Sequence, residues 1–126
     1  MNRVNNVISI NTTLDEKFYQ YWFKFLRPFH NLTNKEIEVI SMFLKHRFIL
    51  SKAINDDNLL EKVILNEDFK RQVREECGIS TAHFQVIMSS LKKKGIIQKD
   101  RINPKFIPKL RGDDSNFQLL LLFSFK

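Results

Sequence analysis

The sequence has a single cysteine, Cys77, so no disulfide can close within the chain, and a reducing compartment fits it. It has only three glycines and three prolines, which leaves little room for flexible linkers or a disordered tail. No run approaches the roughly 20 apolar residues of a membrane span, so no membrane partner is expected. The opening M-N-R-V-N-N-V-I-S-I-N lacks the apolar core of a secretory leader. There is no Gly-rich phosphate loop, no C-x-x-C and no H-E-x-x-H. His30, His46 and His83 lie too far apart in sequence to read as a metal set, and nothing asks for a cofactor. Asp56-Asp57 and Asp113-Asp114 suit turns better than a divalent ion, with Asp56-Asp57 charging a helix start. Catalysis therefore finds no residue set, and a binding or structural role is expected.

What the chain does have is phenylalanine and localised positive charge. Twelve phenylalanines among 126 residues favour a core of large interlocking side chains in a single domain. The net charge is +7. Residues 1–91 carry 12 Lys/Arg against 11 Asp/Glu, residues 92–111 carry eight against one, and residues 112–126 carry one against two. The excess sits in one short segment. Such a patch suits a polyanion, most often nucleic acid; its bland alternative is a solvated basic hairpin.

The order of elements follows from caps and periodicity. Residues 4–10 read as a short strand or an ordered arm. Thr12 or Thr13 caps a first helix with Asp15 and Glu16 in its first turn, where acids suit the helix dipole. Leu14, Phe18, Tyr21, Trp22 and Phe25 share a face of that helix. The stripe could stack nucleobases, but it reads more simply as a helix docking into a core. Pro28 ends the helix. Thr33 and Glu36 have capping-box spacing, and Ile37, Ile40, Phe43 and Leu44 follow as an apolar face that extends toward Phe48. Residues 55–58 cap a short helix over 59–65. Asn66 caps another over 67–76, with Phe69 and Val73 inward. Gly78 turns the chain, Ser80 caps a helix over 81–94, and Gly95 closes it. Phe84, Ile87, Met88 and Leu91 form its buried stripe.

The face turned outward from that last helix is Ala82, Gln85, Val86, Ser89 and Lys93. Gln85 is its one strong base-reading side chain, with Ser89 permissive, so base discrimination is expected to be modest. Thr81 and His83 sit at the helix start; His83 reaches a phosphate or is a plain surface residue. Lys92, Lys93, Lys94, Lys99, Arg101, Lys105, Lys109 and Arg111 are the expected phosphate contacts. Ile96 and Ile97 begin a strand, Lys99-Asp100 is its turn, and 101–108 is a second strand that Pro104 and Pro108 confine to an edge or end early. Residues 109–116 make a charged loop. The run F-Q-L-L-L-L-F-S-F is apolar on both faces, which suits a strand covered by the aromatic first helix or by a neighbouring subunit. Cys77 reads as a small buried apolar residue.

The L-T-N-K-E-I-E-V-I opening, the G-I-S turn, the ending L-K-K-K-G-I-I and the I-N-P-K-F-I-P segment carry a resemblance. Residues 31–108 resemble the winged helix-turn-helix superfamily, and the Asn-Pro wing is similar to that of plasmid and phage replication initiators. The aromatic stretch F-Y-Q-Y-W-F-K-F-L-R-P-F-H and the Asn/Lys/Ile/Phe-rich composition also look like small proteins of bacteriophages with AT-rich genomes, including crAss-like phages. The resemblance implies a mainly α protein with a small β-wing (α+β), with 1–30 as arm and aromatic helix, 31–94 as helical core, and 95–126 as wing and terminal strand. It implies DNA as partner and the cytoplasm of a bacterial host. The alternative is a virion structural or assembly protein that self-associates, or holds a partner protein, through the aromatic helix and the terminal strand.

Overall fold

The computed structural model describes residues 7–110 and 115–126. Six α-helices and one small hairpin are present among them: α1 (Glu16–Phe25), α2 (Arg27–His30), α3 (Asn34–Ser51), α4 (Asp57–Ile64), α5 (Glu67–Glu76), α6 (Thr81–Lys93), β1 (Ile97–Gln98) and β2 (Arg101–Ile102). The protein is therefore mainly helical with a two-stranded antiparallel sheet, an α+β arrangement. No helix among the described residues is long and apolar enough to cross a membrane.

Helix α3 is the hub. It starts at a complete capping box: the Thr33 hydroxyl accepts from Glu36 N–H, and the Glu36 carboxylate accepts from Thr33 N–H. Its buried residues Ile37, Val39, Ile40, Phe43 and Leu44 cover more than one face. That breadth lets α1, α4, α5 and α6 all pack on it. The core they close includes Phe23, Ile64, Val73, Phe84, Leu91, Ile96 and Ile102. The hairpin joins this core through Ile97, paired with Ile102. Its two-residue turn places Lys99 and Asp100 at φ 53° and 58°, the left-handed pair that suits a tight type I′ connection.

Several expectations are corrected at the ends of the chain. No strand forms over residues 7–10, which lack regular structure; positions 4–6 lie outside the described residues. The first helix is capped by Asp15, not by Thr12 or Thr13. The Asp15 carboxylate accepts both the Lys17 N–H and the Thr13 hydroxyl, and the Thr13 bond leads in holding it below its usual pKa. The inward face of α1 is Tyr19 and Phe23, while Leu14, Tyr21 and Phe25 are exposed and Phe18 and Trp22 sit half-buried between. Apolar residues cover more than half of this helix, opposite Glu16, Lys17, Gln20 and Lys24, so spacing alone allowed two overlapping stripes, and packing on α3 chose the other one. Pro28 does not end α1. It stands in the first turn of α2, where its missing N–H costs nothing. The second strand stops at Ile102, because the Asn103 side chain accepts from Lys105 N–H and starts a 3-10 turn over Pro104–Phe106. The run 115–126 forms no strand, and its large residues stay exposed except for Phe117, which meets Phe18 and Trp22 edge to face. The described sheet has only two strands of two residues each, too short an edge to pair a run of this length.

His30 fastens α1 to the start of α3. Its Nε2–H donates to the Phe23 carbonyl at 2.7 Å, and its Nδ1 accepts the Leu32 N–H at 2.9 Å. Both ring nitrogens are thus used by the neutral form. Burial lowers its pKa; nearby Arg27 and Lys94 add to this, while the Phe23 bond and Glu36 oppose it. The unfolded imidazole takes a proton near pH 6.5 and the folded one only below that. Stability is thus complete above about pH 6.5 and falls as the pH drops toward the depressed folded value. Urea unfolding should show this loss, and a His30→Gln variant, weaker at neutral pH, should show a flatter dependence as the pH falls below about 6.5.

Candidate functional site

Two short helices and one turn build the site. Asn66 caps α5 by accepting the Phe69 N–H, and Ser80 caps α6 by accepting the His83 N–H. Between them Gly78 takes φ +64° and closes α5: Gly78 N–H reaches the Glu75 carbonyl and Ile79 N–H the Arg74 carbonyl. This is a Schellman stop, which favours glycine at that position. Gly95 (φ +78°) ends α6 the same way, with bonds to the Lys92 and Leu91 carbonyls. Both ends of α6 are therefore fixed by local bonds. Phe84, Ile87, Met88 and Leu91 turn inward as the spacing predicts, leaving Gln85, Val86 and Ser89 exposed.

Between α5 and α6 runs an open groove of about 620 Å³. Thr81, Gln85, Ser89 and Lys92 line one wall; Glu67, Lys70, Arg71 and Arg74 line the other. A second depression of about 260 Å³ shares Lys70, Met88 and Lys92 with it and continues to Lys62 on α4 and Asp100 at the hairpin turn. The two adjoin along Lys70 and Lys92. Five cations from three helices thus border the pair, against the acids Glu67 and Asp100.

The five cations are not equally committed. Lys70 reaches Glu67 at 3.5 Å, Arg71 reaches Asp68 at 2.9 Å, and Arg74 lies 3.7 Å from Glu75 and bonds the Ile79 carbonyl. These are exposed or half-exposed pairs, weak in water and readily exchanged for another anion. Lys62 and Lys92 have no ion-pair partner among the described residues.

The residues expected from sequence separate into groups. Thr81, Gln85, Ser89 and Lys92 come together in the groove. His83 and Lys93 are exposed on α6 but do not line it. Lys99 stands at the hairpin turn, beside Asp100. Arg101 is exposed on β2 and donates to the Asn58 side chain at 3.1 Å. Lys105 and Lys109 are exposed and outside the groove, Lys105 lying over the Phe106 ring. Arg111 lies outside the described residues. Lys94 is otherwise engaged: its ammonium bonds the Glu36 carboxylate at 2.8 Å and the Asn31 carbonyl at 2.9 Å.

Sequence reasoning missed Lys62, Lys70, Arg71 and Arg74, which lie in a stretch whose charges nearly cancel. The signal was three-dimensional. Glu76, for instance, is drawn onto His46 at 2.7 Å and does not line the groove. The histidines share no site: His30 is in the core, His46 is on Glu76 and His83 is on the surface. Cys77 is buried, and burial pushes its thiol pKa up to about 11, which suits packing rather than reactivity.

Comparison with protein-family models, with curated proteins and with solved structures returned no match to this chain.

The division between lysines is testable. Lys94→Ala leaves the buried Glu36 carboxylate without its cation and should cost about 1–3 kcal/mol in urea unfolding. Lys92→Ala, on an exposed and unpaired side chain, should stay within about 0.5 kcal/mol of the parent.

Proposed function

We propose that this chain is a non-enzymatic DNA-binding protein of the winged helix-turn-helix kind. It neutralises backbone phosphates with the cations of the α5–α6 groove and reads bases sparingly through Gln85 and Ser89. The observation that carries this reading is the groove itself. The exposed side of the capped helix α6 forms one of its walls, Lys70, Arg71, Arg74 and Lys92 line it, and Lys62 borders the adjoining depression. Phosphates give affinity and bases give selectivity. With one strong base reader and an apolar Val86 on the outward face, the balance lies with affinity. The hairpin, with Lys99 at its tip and Arg101 beside it, takes the part of the wing. The phage-like composition adds a bacterial host cytoplasm as the place of action.

A second reading, a virion structural or assembly protein, is favoured by one observation: the large apolar residues of 119–125 stand exposed. It uses the same fold for protein contacts and leaves the basic groove unexplained, which is why the first reading is preferred.

Fluorescence anisotropy with an AT-rich duplex should give binding whose log K falls with log salt at a slope of about −3 to −5 if most of the five cations meet phosphates. Lys62→Ala with Lys92→Ala should weaken binding at least about ten-fold and reduce the slope by about 2, across unrelated sequences alike. Both residues are exposed, so the helices should stay intact by circular dichroism. Unchanged affinity in that variant would overturn the proposal.

A further inference from the structure

Two apolar surfaces of this chain stand open at once. The first is the run 119–125, whose Leu119, Leu120, Leu121, Leu122, Phe123 and Phe125 are 40–95% exposed. The run belongs to no strand and takes part in no backbone hydrogen bond among the described residues. It leaves the body of the protein at Phe117, which Phe18 and Trp22 hold edge to face at 5.4 and 5.6 Å. The second surface is on α1 and α2. Tyr21, Phe25 and Phe29, spaced four apart, are 40–64% exposed. Tyr21 lies three positions from Phe18, and Phe25 three from Trp22, so this face adjoins the anchor of the run on the same helix. The run starts beside the apolar face of its own chain and does not cover it.

We propose that residues 119–125 dock on the exposed α1–α2 face of a second copy of this chain, and that the second copy returns the same contact, giving a two-fold dimer. Chemistry selects that partner. From Ser115 to Phe125 the run carries no charge, so its acceptor must be apolar, and the chain presents such an acceptor open at the same time. Reciprocal docking brings both surfaces together with one symmetry operation, the usual geometry of a homodimer. The area suffices. At about 200 Å² for a fully exposed large apolar side chain, the run offers roughly 800 Å² per copy and Tyr21, Phe25 and Phe29 about 300 Å². Two reciprocal contacts, each burying about 300 Å² on run and face alike, give about 1,200 Å², the lower end of the range for a stable interface.

Light scattering on the full chain tests this. The expected mass is that of two copies of the 15.1 kDa chain. Leu120→Lys with Leu122→Lys, and separately Tyr21→Lys with Phe25→Lys, should each raise the dimer dissociation constant at least about 100-fold, the loss expected for two buried apolar side chains. All four positions are exposed in the single chain, so circular dichroism should be unchanged. Mixing the two variants should restore dimers, because each mixed pair keeps one intact run on one intact face. General stickiness would not give that recovery. A monomeric parent, a dimer indifferent to either variant, or no recovery on mixing would each overturn the proposal. None of these residues lines the basic groove, so DNA affinity reads out separately.

Discussion

The Glu36 carboxylate is the point on which the arrangement turns. One of its oxygens, Oε1, takes the Thr33 N–H and the Lys94 ammonium, both at 2.8 Å, and that ammonium also holds the Asn31 carbonyl. The start of α3, the connection from α2 and the end of α6 are thus tied at one spot. Burial works to raise the carboxyl pKa, but the Lys94 ammonium, the nearby Ser90 hydroxyl and the Thr33 N–H outweigh it and hold it below the usual range. The placement also matches both helix dipoles, with an anion at the N-terminus of α3 and a cation just past the C-terminus of α6. A charge pair this buried is an expensive way to add stability. Its value here is positional, because it fixes the direction of α6 against the hub helix.

From that fixed helix the rest follows in sequence. Gly95 stops α6, the Asn103 side chain donates to the Gly95 carbonyl, and the hairpin between them is held against α4 and α6. At the other end Gly78 and Ser80 set the entry of α6 from α5. The groove between the two helices is therefore framed by rigid, locally satisfied backbone. Its cations ride on helical surfaces, Lys62 and Lys92 without an ion-pair partner among the described residues and Lys70, Arg71 and Arg74 in pairs weak enough to exchange for a stronger anion. Preorganised framework with exchangeable charge is what sequence-tolerant phosphate binding requires.

The helices from α3 to α6 were legible because each carried its own punctuation. Thr33, Asn66 and Ser80 cap as the spacing indicated, and Gly78 and Gly95 stop as glycines at positive φ do. The ends of the chain were not legible, for different reasons. In α1 too many residues are apolar for period to choose a face. At 101–108 a single Asn-Pro step, read as part of a strand, starts a 3-10 turn instead. In 115–126 the composition of a buried strand is present, but among the described residues no sheet is there to bury it. The groove was half legible. The α6 wall was read from one helix, but the α5 wall depended on Lys70, Arg71 and Arg74 turning to the groove while Glu76 turned to His46, which a running sum of charge along the sequence cannot register.

Mapping amide and side-chain resonances by heteronuclear NMR as an unlabelled duplex is added tests most directly the proposal that duplex DNA lies against the α5–α6 groove. Shifts should concentrate at Lys70, Arg71, Arg74, Gln85, Ser89 and Lys92, with Lys62 and the hairpin turn next, and fade as salt is raised. Shifts confined to α1, α2 and residues 117–125, or none at low salt, would contradict it.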